Sequence, residues 1–358
     1  MSHSKMPTQT PTRLAIVRCD THAYWYGVFM EECDVPLLGT QTDDSPTRCG
    51  VHNYFKQSNE YGRLKIERVP GFTIAKIFDR LFEKGADADG NPILQYGTYP
   101  GRPNEFAEVF LNRPQVCETL EELTVDIDAA YLADSSSPGE GSDHLELARS
   151  FLEKGIPTFV DKPFATTLDD AREIVRLAKA NGTVVMSASI LSHCDESRHF
   201  KNRFAEIGEA GVLFVKGGNG SISSVIHTIC AAQGVFGGDV EAVESMGESP
   251  LDCIHLYYPD NRKALLYSPG NDYFEWSCSF HMSAYSNQGV IHCEPIGDPE
   301  FHTGTRRVVE MFRKMVDTGE PPVAYTEMLE PIAIIEAARV AHKEDRRVAI
   351  SEVWDRTD

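Results

Sequence analysis

The strongest constraint on the fold is a series of five short apolar runs separated by stretches of helical periodicity. The first, Leu14-Ala15-Ile16-Val17, is continuous and closed by a turn, as in a parallel strand buried on both faces. Thr73-Ile74-Ala75-Lys76-Ile77-Phe78 ends at Asp79, and Ala129-Ala130-Tyr131-Leu132-Ala133 ends at Asp134 and a Ser-rich loop. Thr158-Phe159-Val160 and Thr183-Val184-Val185-Met186 complete the set. Between them, Leu145, Ala148, Phe151 and Leu152 recur at helical spacing from His144, with Ser142 or Asp143 as cap and Gly155 as stop. Ala171, Ile174, Val175 and Ala178 repeat the pattern, with Thr167 as N-cap and Gly182 as stop. Strands alternating with helices predict βαβ units, so the fold class is α/β, with a Rossmann-like parallel sheet over residues 13–190.

The rest of the chain has a different period. Phe274, Trp276, Cys278, Phe280 and Met282 alternate with polar residues, which marks a strand with one wet face. Pro259-Asp260-Asn261 and Asn287-Gln288-Gly289 are turn signals. Residues 191–358 therefore read as an α+β domain with a large, mainly antiparallel sheet. Helical patterns near 303–318 and 327–342 and a strand near Val348 end it, and a C-terminal helix is expected to pack back on the first domain. A length of 358 residues suits two domains. Residues 1–12 are polar and read as a disordered tail.

Charge narrows the partners. Asp and Glu number 54 against 34 Lys and Arg, a formal charge of −20, which disfavours nucleic acid and anionic membranes. No apolar run reaches the ~18 residues of a membrane helix. The nine Cys are scattered, odd in number and without paired spacing, so a disulfide framework is not expected and a cytoplasmic setting is.

Ligands in such sheets lie beyond the carboxyl ends of the strands. Asp79 closes the second strand, where a carboxylate can accept bonds from ribose hydroxyls; the plainer alternative is a helix cap. Asp161-Lys162-Pro163 follows the fourth strand, and an ammonium there can polarise a substrate oxygen. The plainer alternative for Lys162 is a solvated surface lysine. About fifty residues separate the first two strands, and an insertion over 24–70 is expected. It and its approach carry His22, Tyr24, Trp25, Tyr26, His52, Tyr54, Phe55 and Tyr61, either as a lid over a ligand or as a packed satellite cluster. Asp20, His22 and His52 lack metal-site spacing, and no metal is expected.

Residues 125–189 resemble the glucose-fructose oxidoreductase, inositol dehydrogenase and rhizopine-catabolism (Gfo/Idh/MocA) family. The matching pieces are the strand ending at Asp134, the loop with Ser135 and Ser137-Pro138, His144, the helix to Gly155, Asp161-Lys162-Pro163 and the Thr166-Thr167 helix opening. Ile77-Phe78-Asp79, Glu118–Leu123 and residues 330–350 extend the likeness. The resemblance implies NAD or NADP as cofactor, a sugar-like or polyol substrate and a homo-oligomer. By the same likeness Lys162 contacts cofactor and substrate, and Cys19, Asp20, His22, Asp79, Arg80, Ser135, Ser137, Pro138, His144 and Asp161 line the cofactor. The acid at 79 leans towards NAD, and Arg80 beside it blurs that choice. Ser223-Ser224-Val225-Ile226-His227 aligns with the family's Asp-x-x-x-His, so His227 matches the proton-transferring histidine and Ser223 replaces its Asp.

One departure stands out. Arg18-Cys19-Asp20-Thr21-His22-Ala23 occupies the place of Gly-x-Gly-x-x-Gly/Ala. The missing glycines serve a tight turn and close approach to pyrophosphate. Asp20 adds repulsion of roughly 4 kcal/mol per charge pair at about 4 Å, which Arg18 can partly offset. Three readings follow: an NAD(P)-dependent oxidoreductase acting on a hydroxyl-bearing carbon, a same-fold lyase or isomerase without free dinucleotide, and a non-catalytic binding protein.

Overall fold

In the computed structural model the described residues are 10–19, 21–39, 66–86, 90, 92–96, 103–134, 143–268, 280–297 and 299–355. Among these, strands β1 (Thr12–Val17), β2 (Phe72–Phe78), β5 (Gln115–Val116), β6 (Ala129–Leu132), β7 (Thr158–Val160) and β8 (Val185–Met186) form a parallel sheet in the order β5-β2-β1-β6-β7-β8. The order reverses between β1 and β6, which opens the ligand crevice at their carboxyl ends. β6 and β7 are buried along their length, and β1 is buried apart from the exposed Arg13, because helices cover both faces. β3 (Leu81–Ala86) and β4 (Pro92–Tyr96) pair as a separate hairpin.

The capping chemistry accounts for the helices. The Thr167 side chain accepts from Asp170 N, and the helix Leu168–Ala180 turns its apolar stripe inward. The helix His144–Leu152 buries Leu147, Ala148, Phe151 and Leu152, and Gly155 beyond it takes φ 72°.

The expected insertion over 24–70 is corrected at its start. Thr21–Met30 is the sheet's own first helix, and Tyr24, Trp25 and Tyr26 on it are buried in the main core, not arranged as a lid or satellite. Tyr26 packs edge-on against Tyr131 and Phe159 of the sheet, with ring centroids 5.3 and 5.4 Å away. His52, Tyr54, Phe55 and Tyr61 lie outside the described residues, as does 271–279 of the alternating strand.

A second sheet follows, in the order β14-β13-β9-β12-β11-β10-β15. Its strands are β9 (Val212–Lys216), β10 (Ala242–Met246), β11 (Cys253–Tyr257), β12 (Lys263–Tyr267), β13 (His281–Ser286), β14 (Gly289–His292) and β15 (Val348–Ala349). All its pairs are antiparallel except β9 with β12. The expected turns join β11 to β12 and β13 to β14. Helix Ile222–Phe236 lies on one face; a Cβ on Gly217 would come within 2.0 Å of Thr228 Oγ1, so strand end and helix pack at backbone distance.

The helix Phe301–Thr318 packs against residues of the first sheet's elements. Trp25 Nε1 donates to Thr305 Oγ1 at 2.7 Å, and Phe72 stacks on Phe312 at 5.2 Å. Leu168 N also donates to Glu336 of the helix Tyr325–Glu344 at 2.7 Å. The halves thus share one continuous core. No helix of the described residues is long and apolar enough to cross a membrane, and their cysteines are free thiols.

Candidate active site

Lys162 leaves the end of β7 and is nearly buried. Its Nζ donates to the main-chain carbonyl of Ser223 at 3.1 Å. His227 sits one helical turn further along the same helix, on the same face. The ring lies deep, with part of its surface still accessible, and faces Phe280 edge-on at 6.0 Å. Burial, then the charges of Lys162 and His22, push its pKa well below the usual histidine value. His227 is therefore a neutral imidazole at neutral pH. Its Nδ1 lies 2.7 Å from Ser189 Oγ. With Nδ1–H donating to that hydroxyl, Nε2 keeps a lone pair for a substrate proton.

On the other side of Lys162, Asp161 is fully buried and its Oδ2 lies 2.6 Å from His22 Nδ1. His22 comes from the first turn of the helix Thr21–Met30, so the pair ties the start of the first helix to the end of β7. Lys162 and His227, expected to face each other across two domains, are thus brought together.

Several expectations are corrected. Ser223 meets Lys162 through its carbonyl, while its hydroxyl lies 3.3 Å from Ser221 Oγ; the partner of His227 is Ser189 instead. His144 was expected along the cofactor, but it is fully buried. Its Nδ1 lies 2.9 Å from Pro163 O and its Nε2 2.8 Å from Asp134 O. Burial lowers its pKa, and a neutral ring donates from one nitrogen only, so one of these contacts is a hydrogen bond and the ring is packed between the ends of β6 and β7. Asp20, Ser135, Ser137 and Pro138 fall outside the described residues.

The first turn holds the largest surprise. Arg18 takes φ 73°, the left-handed turn that a glycine normally supplies. Its side chain is 1% exposed and is enclosed by carboxylates from the neighbouring strand ends. Nη1 lies 3.6 Å from Asp79 Oδ1, Nε lies 3.5 Å from Asp134 Oδ1, and Nη2 bonds Asp143. Arg80 adds a bond to Asp143 at 2.8 Å and one to Glu146 at 2.9 Å. The second Asp79 oxygen accepts from Cys19 N at 3.1 Å. The expectation that Arg18 offsets charge at the phosphates is therefore corrected: the ends of β1, β2 and β6 already share that cation. Burial pushes Asp79 up to about 6, because one guanidinium divided among three carboxylates compensates each incompletely. For Asp143 burial acts upward as well, but a bond with Asp134 and the charges of Arg18, His144 and Arg80 outweigh it and hold the carboxyl low.

Sequence reasoning missed Ser189, the His22–Asp161 pair and the sharing of Arg18 by three acids. The acids at the ends of β2 and β6 were visible; their common partner needed the fold to bring three strand ends together.

Three comparisons bear on this site. Residues 53–189 match the model of the Gfo/Idh/MocA family, described as an oxidoreductase family with an NAD-binding Rossmann fold. The match begins after β1 and its turn. Scyllo-inositol 2-dehydrogenase (NADP(+)) IolU of Bacillus subtilis is 29% identical over 135 residues, which cover 37% of this chain and 39% of that protein. The matched segment thus spans about two fifths of that relative. Among solved structures, apo scyllo-inositol dehydrogenase from Lactobacillus casei superposes with TM-score 0.69 at 12% identity, over 96% of this chain and 99% of that one. An oxidoreductase from Agrobacterium radiobacter, in complex with NAD+, L-tartaric acid and magnesium, gives 0.65 at 15%, over 96% and 99%. At these identities the structures establish the fold alone.

Proposed function

We propose that the chain is a member of the Gfo/Idh/MocA oxidoreductase family, whose model matches residues 53–189, and that it oxidises or reduces a hydroxyl-bearing carbon of a small polyol or sugar-like substrate with NAD or NADP. One observation carries this reading: Lys162 Nζ rests on the Ser223 carbonyl, a single helical turn from a neutral, deeply set His227. Lys162 polarises the substrate oxygen, and His227 Nε2 takes or returns its proton. Ser189 fixes the ring in place of the family's Asp, so the orienting partner is a neutral hydroxyl and the imidazolium gains no carboxylate support.

The fit to a dinucleotide differs at its two ends. Lys162, Asp161 and His22 are disposed to hold the nicotinamide half, which when bound supplies the hydride chemistry. The adenosine half meets Asp79 already buried under Arg18, and that arrangement does not suit it. The same observation favours a second reading, a lyase or isomerase that uses Lys162 and His227 without free dinucleotide. A relative named for NADP and a likeness complexed with NAD leave both cofactors in the proposal. A cytoplasmic setting and self-association belong to it as well.

The test is a panel of inositols, other polyols and aldoses with NAD+ or NADP+, read by nicotinamide reduction. His227→Ala is expected to lower kcat/KM by about 10²- to 10⁴-fold with the fold intact by circular dichroism. The acidic limb of the wild-type profile is expected below the ordinary histidine range. Turnover of the panel without any nicotinamide moves the assignment to the second reading. Unchanged behaviour in both Lys162→Ala and His227→Ala variants argues for a binding protein instead.

A further inference from the structure

We propose that Arg18 is an internal competitor of the cofactor: its guanidinium fills the adenosine-ribose subsite, and a dinucleotide binds only by displacing it. The inference rests on the oxidoreductase reading above. Three observations carry it. First, Arg18 stands at the turn's first glycine position and keeps that glycine's backbone, so its side chain starts where a cofactor would approach. Second, the guanidinium is buried between Asp79, Asp134 and Asp143, from the ends of β2 and β6 and the start of the next helix. These elements bound the adenosine side of a Rossmann crevice. Third, Asp79 Oδ2 accepts from Cys19 N and Oδ1 is covered by the Arg18 guanidinium at 3.6 Å without a hydrogen bond, so the acid that would meet the ribose hydroxyls is shielded by a cation that leaves one of its oxygens unbonded.

The guanidinium and an adenosine ribose are thus alternatives at one carboxylate. Arg80 stays on Asp143 and Glu146 in either case. The wild-type protein is accordingly expected to bind free dinucleotide weakly, and its competition to act only on ligands that carry the adenosine half.

The experiment is titration calorimetry of NADH, NADPH, ADP-ribose and reduced nicotinamide mononucleotide against wild type, Arg18→Gly, and an R18G/D134S double variant. The double variant removes the most buried carboxylate together with its cation, so that it folds even where the single variant does not. At least tenfold tighter binding of NADH or NADPH and of ADP-ribose by either folded variant, with the mononucleotide unchanged, is the expected result. Equal or weaker dinucleotide binding by the folded variants, beside measurable wild-type binding, overturns the competitor role and leaves the oxidoreductase reading standing. No dinucleotide binding by any form at millimolar concentration overturns both. A gain that extends equally to the mononucleotide overturns the proposal by showing a general loosening of the cleft.

Discussion

An arginine in a left-handed backbone costs about 1–2 kcal/mol relative to a right-handed one, and three carboxylates buried beside it would each be unfavourable alone. The two burdens offset each other: the cation offers each acid a partner, and the acids hold the side chain under the sheet's edge. Asp79 records how incomplete the compensation is. Its folded-state pKa, about 6, lies above its ordinary 3.8. A carboxyl of this kind binds its proton more tightly when folded, so its contribution to stability is present below pH ~4 and is lost as pH rises to ~6. The loss is on the order of 3 kcal/mol. Asp79→Asn removes the dependence. Urea midpoints measured from pH 4 to 6 are expected to show the variant gaining on the wild type as pH rises; a constant difference would refute this account. The acid at 79 was legible in the sequence. Its burial was not, because burial depends on what position 18 does with its side chain.

At the scale of elements, the proposed chemistry rests on the helix Ile222–Phe236, since it supplies both the carbonyl under Lys162 and the ring of His227. Its distance from β9 is set by Gly217, where an added Cβ would meet Thr228 Oγ1 at 2.0 Å and Ser268 Oγ at 2.6 Å. Gly217→Ala is expected to push the helix outward at a cost of about 1–3 kcal/mol. Because a shift of order 1 Å in a catalytic group is worth about 10²-fold, turnover should fall further than stability alone explains. A variant with unchanged kcat and melting temperature would show that the contact relaxes freely. Helix His144–Leu152 and the Thr167 cap were readable because one face of each helix is wet. The first helix, Thr21–Met30, escaped the reading because it is buried nearly all round and so carries no amphipathic period.

At the scale of the whole molecule, the second sheet turns one face to its helices, and among the described residues the other face carries exposed side chains. Val290, Tyr285 and Val212 line up in register across β14, β13 and β9, with Tyr267 and Met246 further along the same face, and all five are exposed. These exposed apolar residues, interleaved with Lys216, Lys263 and Glu244, mark a candidate contact face, and a second copy of the chain is the expected partner. Light scattering should give more than one chain per particle, and Val212→Lys with Tyr285→Lys should lower that number. A wild-type monomer at high concentration would exclude the face as an interface. The sequence by itself determined the alternation of strands and helices over 129–186, the two-sheet plan and the place of Lys162 at a strand end, because periodicity and caps are local properties of a chain, whereas His227 came from the likeness to the family's motif. The tertiary structure alone decided that Ser189 and not the Ser223 hydroxyl meets the His227 ring, and that Arg18 is enclosed by three carboxylates. Both depend on side chains from distant strand ends converging on one point, and no local pattern records where a long side chain goes once three carboxylates surround it.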